Sequence, residues 1–418
     1  MNSHADLLIK NIGLLATPTG SVPKAGAAQG QIETHENVCV AMGGGVFLGV
    51  GSEEQLRSFV DADTAVLDAG GCLATPGLVD AHTHLVFGGW RQHELGLKLH
   101  GVPYLDILKS GGGILSTVRA TRAASLDELV GKGVGLLHTM LEHGTTTCEA
   151  KSGYGLSTEE EKKQLLAIRK LDDIQPVDLV ATFMGAHALP EEYSDDREGY
   201  VRLLIEQMIP LVAKERLAEF CDIFCETGVF SAEESRRILT AAREHGLKTK
   251  IHADEIDAIG GAVLAGELPT HSAEHLIAAD DEGLAAMARG GTIAVVLPAT
   301  SFYLGKPFAR VQDMMSLGIP VAVASDFNPG SSPNLSLQLP MNLACYQYKM
   351  TPEQVLTAVT LNAAAAIGRA ETVGTVEPGK KADLVLWDAP DLDFIFYRYG
   401  NNQVRTVVKN GTVMIERG

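Results

Sequence analysis

Eight short apolar, β-prone runs recur through the chain, at roughly 73–84, 144–150, 177–187, 220–227, 247–253, 271–276, 291–298 and 320–327. Polar loop residues follow each run, and a helical stretch follows most of them. Successive runs mostly start about 25 to 45 residues apart, enough for a strand, a crossover helix and two loops. Strand–helix alternation requires a parallel sheet, because parallel neighbours cannot be joined by a tight turn. Eight such units favour an α/β chain closed into a (β/α)8 barrel of the TIM type over an open sheet. One intervening helix is legible in detail. Ser157 and Thr158 offer a cap, Glu159, Glu160 and Glu161 suit its positive end, and Leu165, Leu166 and Ile168 supply an apolar face.

The 418 residues exceed the roughly 250 of a typical barrel, so a second unit is expected. The chain ends supply it. Residues 5–17 and 39–51 near the start, and 381–388 and 404–411 near the finish, read as short strands bounded by turn residues, the last closing on Asn410-Gly411. Pairing of the two ends would build a small β-sandwich. The expected division is 1–72 and 370–418 for that sandwich and 73–369 for the barrel.

Charge narrows the partners. A net charge of −18 without an assembled basic patch argues against nucleic acid and anionic membrane, and leaves a small molecule as the expected partner. There is no run of about 18 apolar residues and no basic, apolar leader, so a soluble cytoplasmic protein is expected. Cys39, Cys72, Cys148, Cys221, Cys225 and Cys345 are too sparse for a disulfide framework and read as reduced core residues.

In such barrels the chemistry sits at the C-terminal strand ends, and five of the eight runs end in groups able to perform it. The first run finishes Asp80-Ala81-His82-Thr83-His84, with imidazoles at i and i+2 that a strand projects from one face. Later runs end in His187, in His252 followed by Asp254 and Glu255, in His275, and in Asp326. Converged at one mouth, these would place three imidazoles and a carboxylate around a divalent ion, with catalytic groups left over. Nitrogen and carboxylate ligands without thiolate suit Zn²⁺ or Fe²⁺. A lone His-x-His, or His187 or His275 alone, is more often a hydrogen-bonded core residue; regular placement at strand ends is what argues for a site. His4, His35, His138, His143, His245 and His271 fall outside this pattern, and the Cys221/Cys225 pair reads as packing.

The stretch Pro76–His84, the later single histidines and Ser325-Asp326 resemble the amidohydrolase superfamily, whose members hydrolyse C–N bonds of amides and amidines. The stretches 111–122, 151–156, 252–255 and 325–330 are similar to the branch that opens the ring of 4-imidazolone-5-propanoate to N-formimino-L-glutamate in histidine degradation. The resemblance implies one Zn²⁺ or Fe²⁺/Fe³⁺ per subunit, held by His82, His84, His252 and Asp326, with Asp326 serving the chemistry as well. It implies Glu255 and His275 as the acid/base pair. Arg91, Tyr154, His187 and Glu255 would line the substrate site, and Asn328, Gly330 and Ser331 would meet the product's carboxylate end. Ser331 stands where the family has Thr, and keeps the hydroxyl. A small anionic heterocycle is the implied substrate and a homodimer the implied assembly.

Three features stay open on local pattern. Strand alternation puts Asp254, not Glu255, on the face of His252, so Glu255 rests on the resemblance and on the chain leaving the strand after Ala253; Asp254 would then orient a ligand imidazole. Lys151 could bridge two metals as a carboxylated lysine, but Ser152-Gly153-Tyr154-Gly155 beside it suits a substrate loop, and one metal is expected. The glycines at 111–113 could cradle an anion, yet lack the Gly-Lys-Ser/Thr ending of a nucleotide loop. Competing functions are a guanine-type aminohydrolase and a non-catalytic scaffold of the same fold. Arg91, seven residues past His84, suits a two-pronged contact to an acidic substrate and argues for the first-named branch.

Overall fold

The computed structural model describes residues 4–101 and 112–417 and divides their strands between two sheets. In chain order these are β1 (Leu7–Thr17), β2 (Glu33–Gly43), β3 (Val46–Gly51), β4 (Ala65–Asp68), β5 (Leu73–Pro76), β6 (Leu78–Asp80), β7 (Thr145–Lys151) and β8 (Asp178–Ala186). They continue as β9 (Phe220–Cys225), β10 (Lys248–Ala253), β11 (Ser272–His275), β12 (Ile293–Val296), β13 (Val321–Val323), β14 (Leu384–Trp387), β15 (Val404–Lys409) and β16 (Thr412–Glu416).

Strands β6 to β13 lie side by side in sequence order and all pair in parallel, each linked to the next through helix. The first and last meet just beyond their ends. Thr83 bridges Phe327, His84 N–H donates to the Phe327 carbonyl at 2.8 Å, and buried Asp80 accepts from Ser325 N–H at 3.0 Å and Oγ at 2.5 Å. This is the expected (β/α)8 barrel. Its floor is apolar: Val180, Phe220, Val295 and Ala322 pack against Leu361, Ala364 and Ile367 of a short C-terminal helix and its end.

The second sheet runs β16-β15-β14-β5-β1-β2-β3, with β4 on β1. The two chain ends join where β14 pairs antiparallel with β5, Leu386 opposite Ala74. Leu7, Ile9, Ile12, Phe47, Leu384, Leu386 and Val408 share its core, so neither end could fold this sheet alone.

Local readings shift in three places. The run 39–51 is a hairpin broken at Gly44-Gly45, both with positive φ. The run 73–84 is two strands: β5 belongs to the terminal sheet and β6 to the barrel, separated by Gly77, where a Cβ would overlap Thr146. Ser157 sits at the N-cap of the helix Thr158–Ile174 but makes no side-chain cap. Glu161 turns back instead and accepts from the N–H groups of Gly153, Gly155 and Leu156 at 3.1, 2.8 and 2.8 Å.

Candidate metal centre and active site

The strand ends converge. His84 Nε2 lies 3.4 Å from His252 Nε2, and Asp326 Oδ1 lies 3.4 Å from His82 Nε2 and 3.7 Å from His84 Nε2. Ligand atoms of His82, His84 and His252 fall within 4.8 Å of one another, as do those of His82, His275 and Asp326. Two ligands each about 2.0 Å from a tetrahedral ion sit roughly 3.3 Å apart, so the spacing suits a metal. Burial, reinforced by neighbouring cations, holds His82 and His84 well below the ordinary imidazole range, keeping their lone pairs free. His82 Nε2 is buried without a hydrogen-bond partner. Lone pairs aimed at one point with nothing to pair them are the chemistry of a cation site, and these residues fit one.

Asp326 adopts φ +51, outside strand geometry, while its Oδ2 accepts from Thr300 Oγ1 at 2.5 Å. That bond leaves Oδ1 directed at the imidazoles.

Beneath the cluster lies a closed layer of charge: Glu149, Lys151, Asp222, Lys250 and Glu274, all fully buried. Glu274 Oε2 is 2.9 Å from His82 Nδ1, and Asp222 Oδ2 is 3.0 Å from His252 Nδ1, a contact bent away from a linear hydrogen bond. Such carboxylates fix the tautomer, placing the proton on Nδ1 and the lone pair on Nε2. Lys151 Nζ stands 2.7 Å from Asp222 and 2.8 Å from Glu149, so the substrate-loop reading does not hold for it. Burial would lower its pKa, but the flanking carboxylates win and raise it. Both carboxylates engage its ammonium, which argues against the bridging-carbamate alternative.

Backbone geometry sends the Asp254 and Glu255 side chains to different places. Strand β10 ends at Ala253, Asp254 turns at φ +50, and its carboxylate accepts from Ile259, Gly261 and Ala262 N–H at 3.1, 3.0 and 2.9 Å. Asp254 therefore caps the following segment and orients no imidazole. The turn brings Glu255 Oε2 to 3.7 Å from His275 Nε2. His275 itself has φ +69, and burial drops its pKa to about 3, leaving it neutral. Burial pushes Glu255 upward.

On the far side His187 stacks on His84, centroids 4.7 Å apart and planes at 17°, and buried Tyr154 lies 5.2 Å from His187. Gly153, at φ +112, lets its carbonyl meet His187 Nδ1 at 3.0 Å; a Cβ there would strike that ring. Arg91 is buried over Gly330, where any Cβ would overlap its guanidinium. Asn328 is spent on its own loop: Oδ1 accepts from Gly330 and Ser331 N–H at 2.8 and 2.7 Å, and Nδ2 donates to the Asp326 carbonyl at 2.7 Å. It orders the loop that carries Gly330 and Ser331.

Several site residues escape the sequence reading. Glu94, 1% exposed, gathers Arg91 Nε at 3.1 Å, Lys98 Nζ at 3.3 Å and Gly113 N–H at 2.6 Å, which gives the last of the three glycines a task; Gly111 lies outside the described residues. Asp222, Glu149, Lys250 and Glu274 were also missed. Their signal was present as charge inside otherwise apolar strands, with Lys250 two residues before His252. His271, bonded to the Ala365 carbonyl, and the buried, unpaired Cys221 and Cys225 stay outside the site as expected.

Residues 73–414 match the model of the amidohydrolase family. The chain is 51% identical over 419 residues to the imidazolonepropionase of Alkaliphilus oremlandii, covering 99% of each. It is 49% identical over 418 residues to that of Bacillus velezensis, covering 100% of this chain and 99% of the other. Among solved structures it is similar to the guanine deaminase of E. coli (TM-score 0.72, 15% identity, 98% and 100% covered). It is also similar to a zinc complex of the atrazine chlorohydrolase of Arthrobacter aurescens (TM-score 0.72, 17% identity, 98% and 95% covered). At such identities these last two likenesses are of fold.

Proposed function

The chain belongs to the amidohydrolase family, among the imidazolonepropionases, and from that premise we propose how its residues divide the work. It is a hydrolase of a cyclic-amide C–N bond that acts in histidine degradation, opening 4-imidazolone-5-propanoate with one water to N-formimino-L-glutamate. His82, His84, His252 and Asp326 hold a single divalent ion, zinc or iron. The convergence of their ligand atoms on one point carries this reading. The engagement of Lys151 by Glu149 and Asp222 favours one ion over a bridged pair.

When bound, the ion supplies Lewis-acid chemistry, making water a stronger nucleophile near neutral pH and drawing electrons from the ring carbonyl. Glu255 accepts the proton that water loses on attack and passes it to the ring nitrogen as the C–N bond breaks. Burial raises the Glu255 pKa, which makes the carboxylate a stronger base for the proton it takes and suits that double duty. Neutral His275 donates a hydrogen bond to the oxyanion as it forms, a contribution worth about 10²-fold or more. Arg91 pairs with the propanoate, Tyr154 and His187 wall the ring, and Gly330 and Ser331 close the carboxylate end. Of residues 73–369, all but β5 (Leu73–Pro76) belong to the barrel that carries this, and β5 with the terminal segments 1–72 and 370–418 braces it in a cytoplasmic homodimer.

Protein loaded with metal should consume 4-imidazolone-5-propanoate faster than its spontaneous decay, followed by loss of ring absorbance with the product identified by mass. Asp326→Ala should abolish turnover and lower the bound metal. Full metal content and a native rate in that variant would remove Asp326 from the ligand set.

A further inference from the structure

The charged layer beneath the imidazoles is one connected object, and its centre touches no ligand. Glu149 Oε2 pairs with Lys151 Nζ at 2.8 Å, and Lys151 passes to Asp222 at 2.7 Å, which meets His252 Nδ1. Glu149 Oε1 pairs with Lys250 Nζ at 2.9 Å and accepts from Thr182 Oγ1 at 2.6 Å. Lys250 lies 3.8 Å from Glu274, whose other oxygen meets His82 Nδ1 and which also accepts from Ser272 Oγ. Two arms thus run from one carboxylate to two imidazoles contributed by different strands.

We propose that Glu149 is a positioning residue that sets how tightly the His82–His252 cluster holds a divalent ion, acting through Lys151 on His252 and through Lys250 on His82. The argument is one of competition for charge. Three buried carboxylates serve two ammonium groups and two imidazole N–H groups. While Glu149 satisfies both lysines, Asp222 and Glu274 keep electron density for the imidazoles, which strengthens the opposite ring nitrogens as donors. Without the Glu149 charge, each lysine draws harder on the carboxylate it has left, and both imidazoles become poorer ligands together. The layer is fully buried, so bulk salt cannot replace the missing charge.

This inference rests on the metal-site reading above, and its test separates the two. The probe is cobalt(II), titrated into the metal-free full chain against a competing chelator, with its visible absorption band recorded. Glu149→Gln keeps the shape and removes the charge. It should bind cobalt about tenfold more weakly, the scale on which partners of ligand residues act, with an altered band. Added to Asp222→Asn, Glu149→Gln should cost less than it costs the native chain, because the His252 arm is already cut and only the Lys250–Glu274 arm to His82 still responds. Thr182→Val, which removes a hydrogen-bond donor from Glu149 Oε1 without touching a charge, leaves that carboxylate more charge for Lys250 and should tighten cobalt binding by a smaller factor. A folded Glu149→Gln with native cobalt affinity and band overturns the proposal, whatever its melting temperature. Should that variant not fold, native affinity in Thr182→Val overturns it equally. If instead His252→Ala binds cobalt as tightly as the native chain, the metal-site reading itself falls.

Discussion

Asp254 decides which carboxylate reaches the barrel mouth by taking the left-handed conformation that strand alternation cannot foresee. Its φ of +50 ends β10, spends its own carboxylate on three backbone N–H groups and delivers Glu255 to the mouth. A non-glycine residue held there costs roughly 1–3 kcal/mol, tolerated where the surroundings over-determine it, as these three bonds do. Glu255→Gln is therefore expected to keep its metal and lose kcat by about 10²-fold or more. In the native enzyme, burial raises the Glu255 pKa, so the reactive carboxylate is lost as pH falls through a value above the ordinary glutamate range near 4.3. A kcat–pH profile should show that acid limb, and Glu255→Gln should lack it. At the position proposed to meet the propanoate, Glu94 grips Arg91 by Nε, leaving the outer guanidinium nitrogens over Gly330. Glu94→Gln should raise KM about tenfold with far less effect on kcat, since it disturbs capture and not the reacting bond. Equal changes in both would reassign Glu94 to the chemistry.

At the scale of elements, strand ends were legible because short β-prone runs recur and five of the eight close on a histidine or aspartate. The joints were not. His275 and Asp326 reach the centre through positive φ values, Gly77 splits one apolar run between two sheets, and β4 and the first half of β2 are exposed, short of the apolar alternation that marks a strand. Long-range ties are equally invisible. Lys132, on the helix Leu126–Glu142, sets its ammonium 3.5 Å from the Phe87 ring centroid and 4.4 Å from that of Trp90, and donates to the Gly88 carbonyl at 2.9 Å. It clamps the loop that leads from His84 to Arg91. Burial lowers its pKa to about 8, below the unfolded value near 10.4. Between those values the unfolded chain holds a proton that the folded chain has released, so this group makes stability rise with pH. The stability difference between the native chain and Lys132→Met, measured by thermal melts from pH 7.5 to 10, should move in favour of the native chain as pH increases. A constant difference would show that Lys132 is solvated in the folded state.

For the whole molecule, the question is whether sheet and barrel are one unit. Lys409, at the end of β15 and fully buried, pairs with Asp383 beside β14 and with Asp178 at the start of β8, each at 2.7 Å. Lys381 joins Asp178 at the same distance, and Trp387 Nε1 donates to Thr75 Oγ1 at 2.9 Å, stitching β14 to β5 just before the chain enters the barrel. Lys409 thus spans both sheets with a single ammonium, and the sequence shows it only as an ordinary strand-end lysine. Removing one partner of a buried pair typically costs about 3–5 kcal/mol. Lys409→Met should therefore lower stability by that order. Burial already pushes Asp383 upward, and without its lysine it would bind a proton that the unfolded chain has lost, so the variant's deficit should grow as pH rises from 5 to 8. If the two sheets form one cooperative unit, the variant melts in a single transition displaced downward, with loss of activity tracking loss of strand signal. Two separated transitions, with the barrel's activity outlasting the terminal sheet, would show that the barrel stands without its brace and that the chain ends serve another purpose.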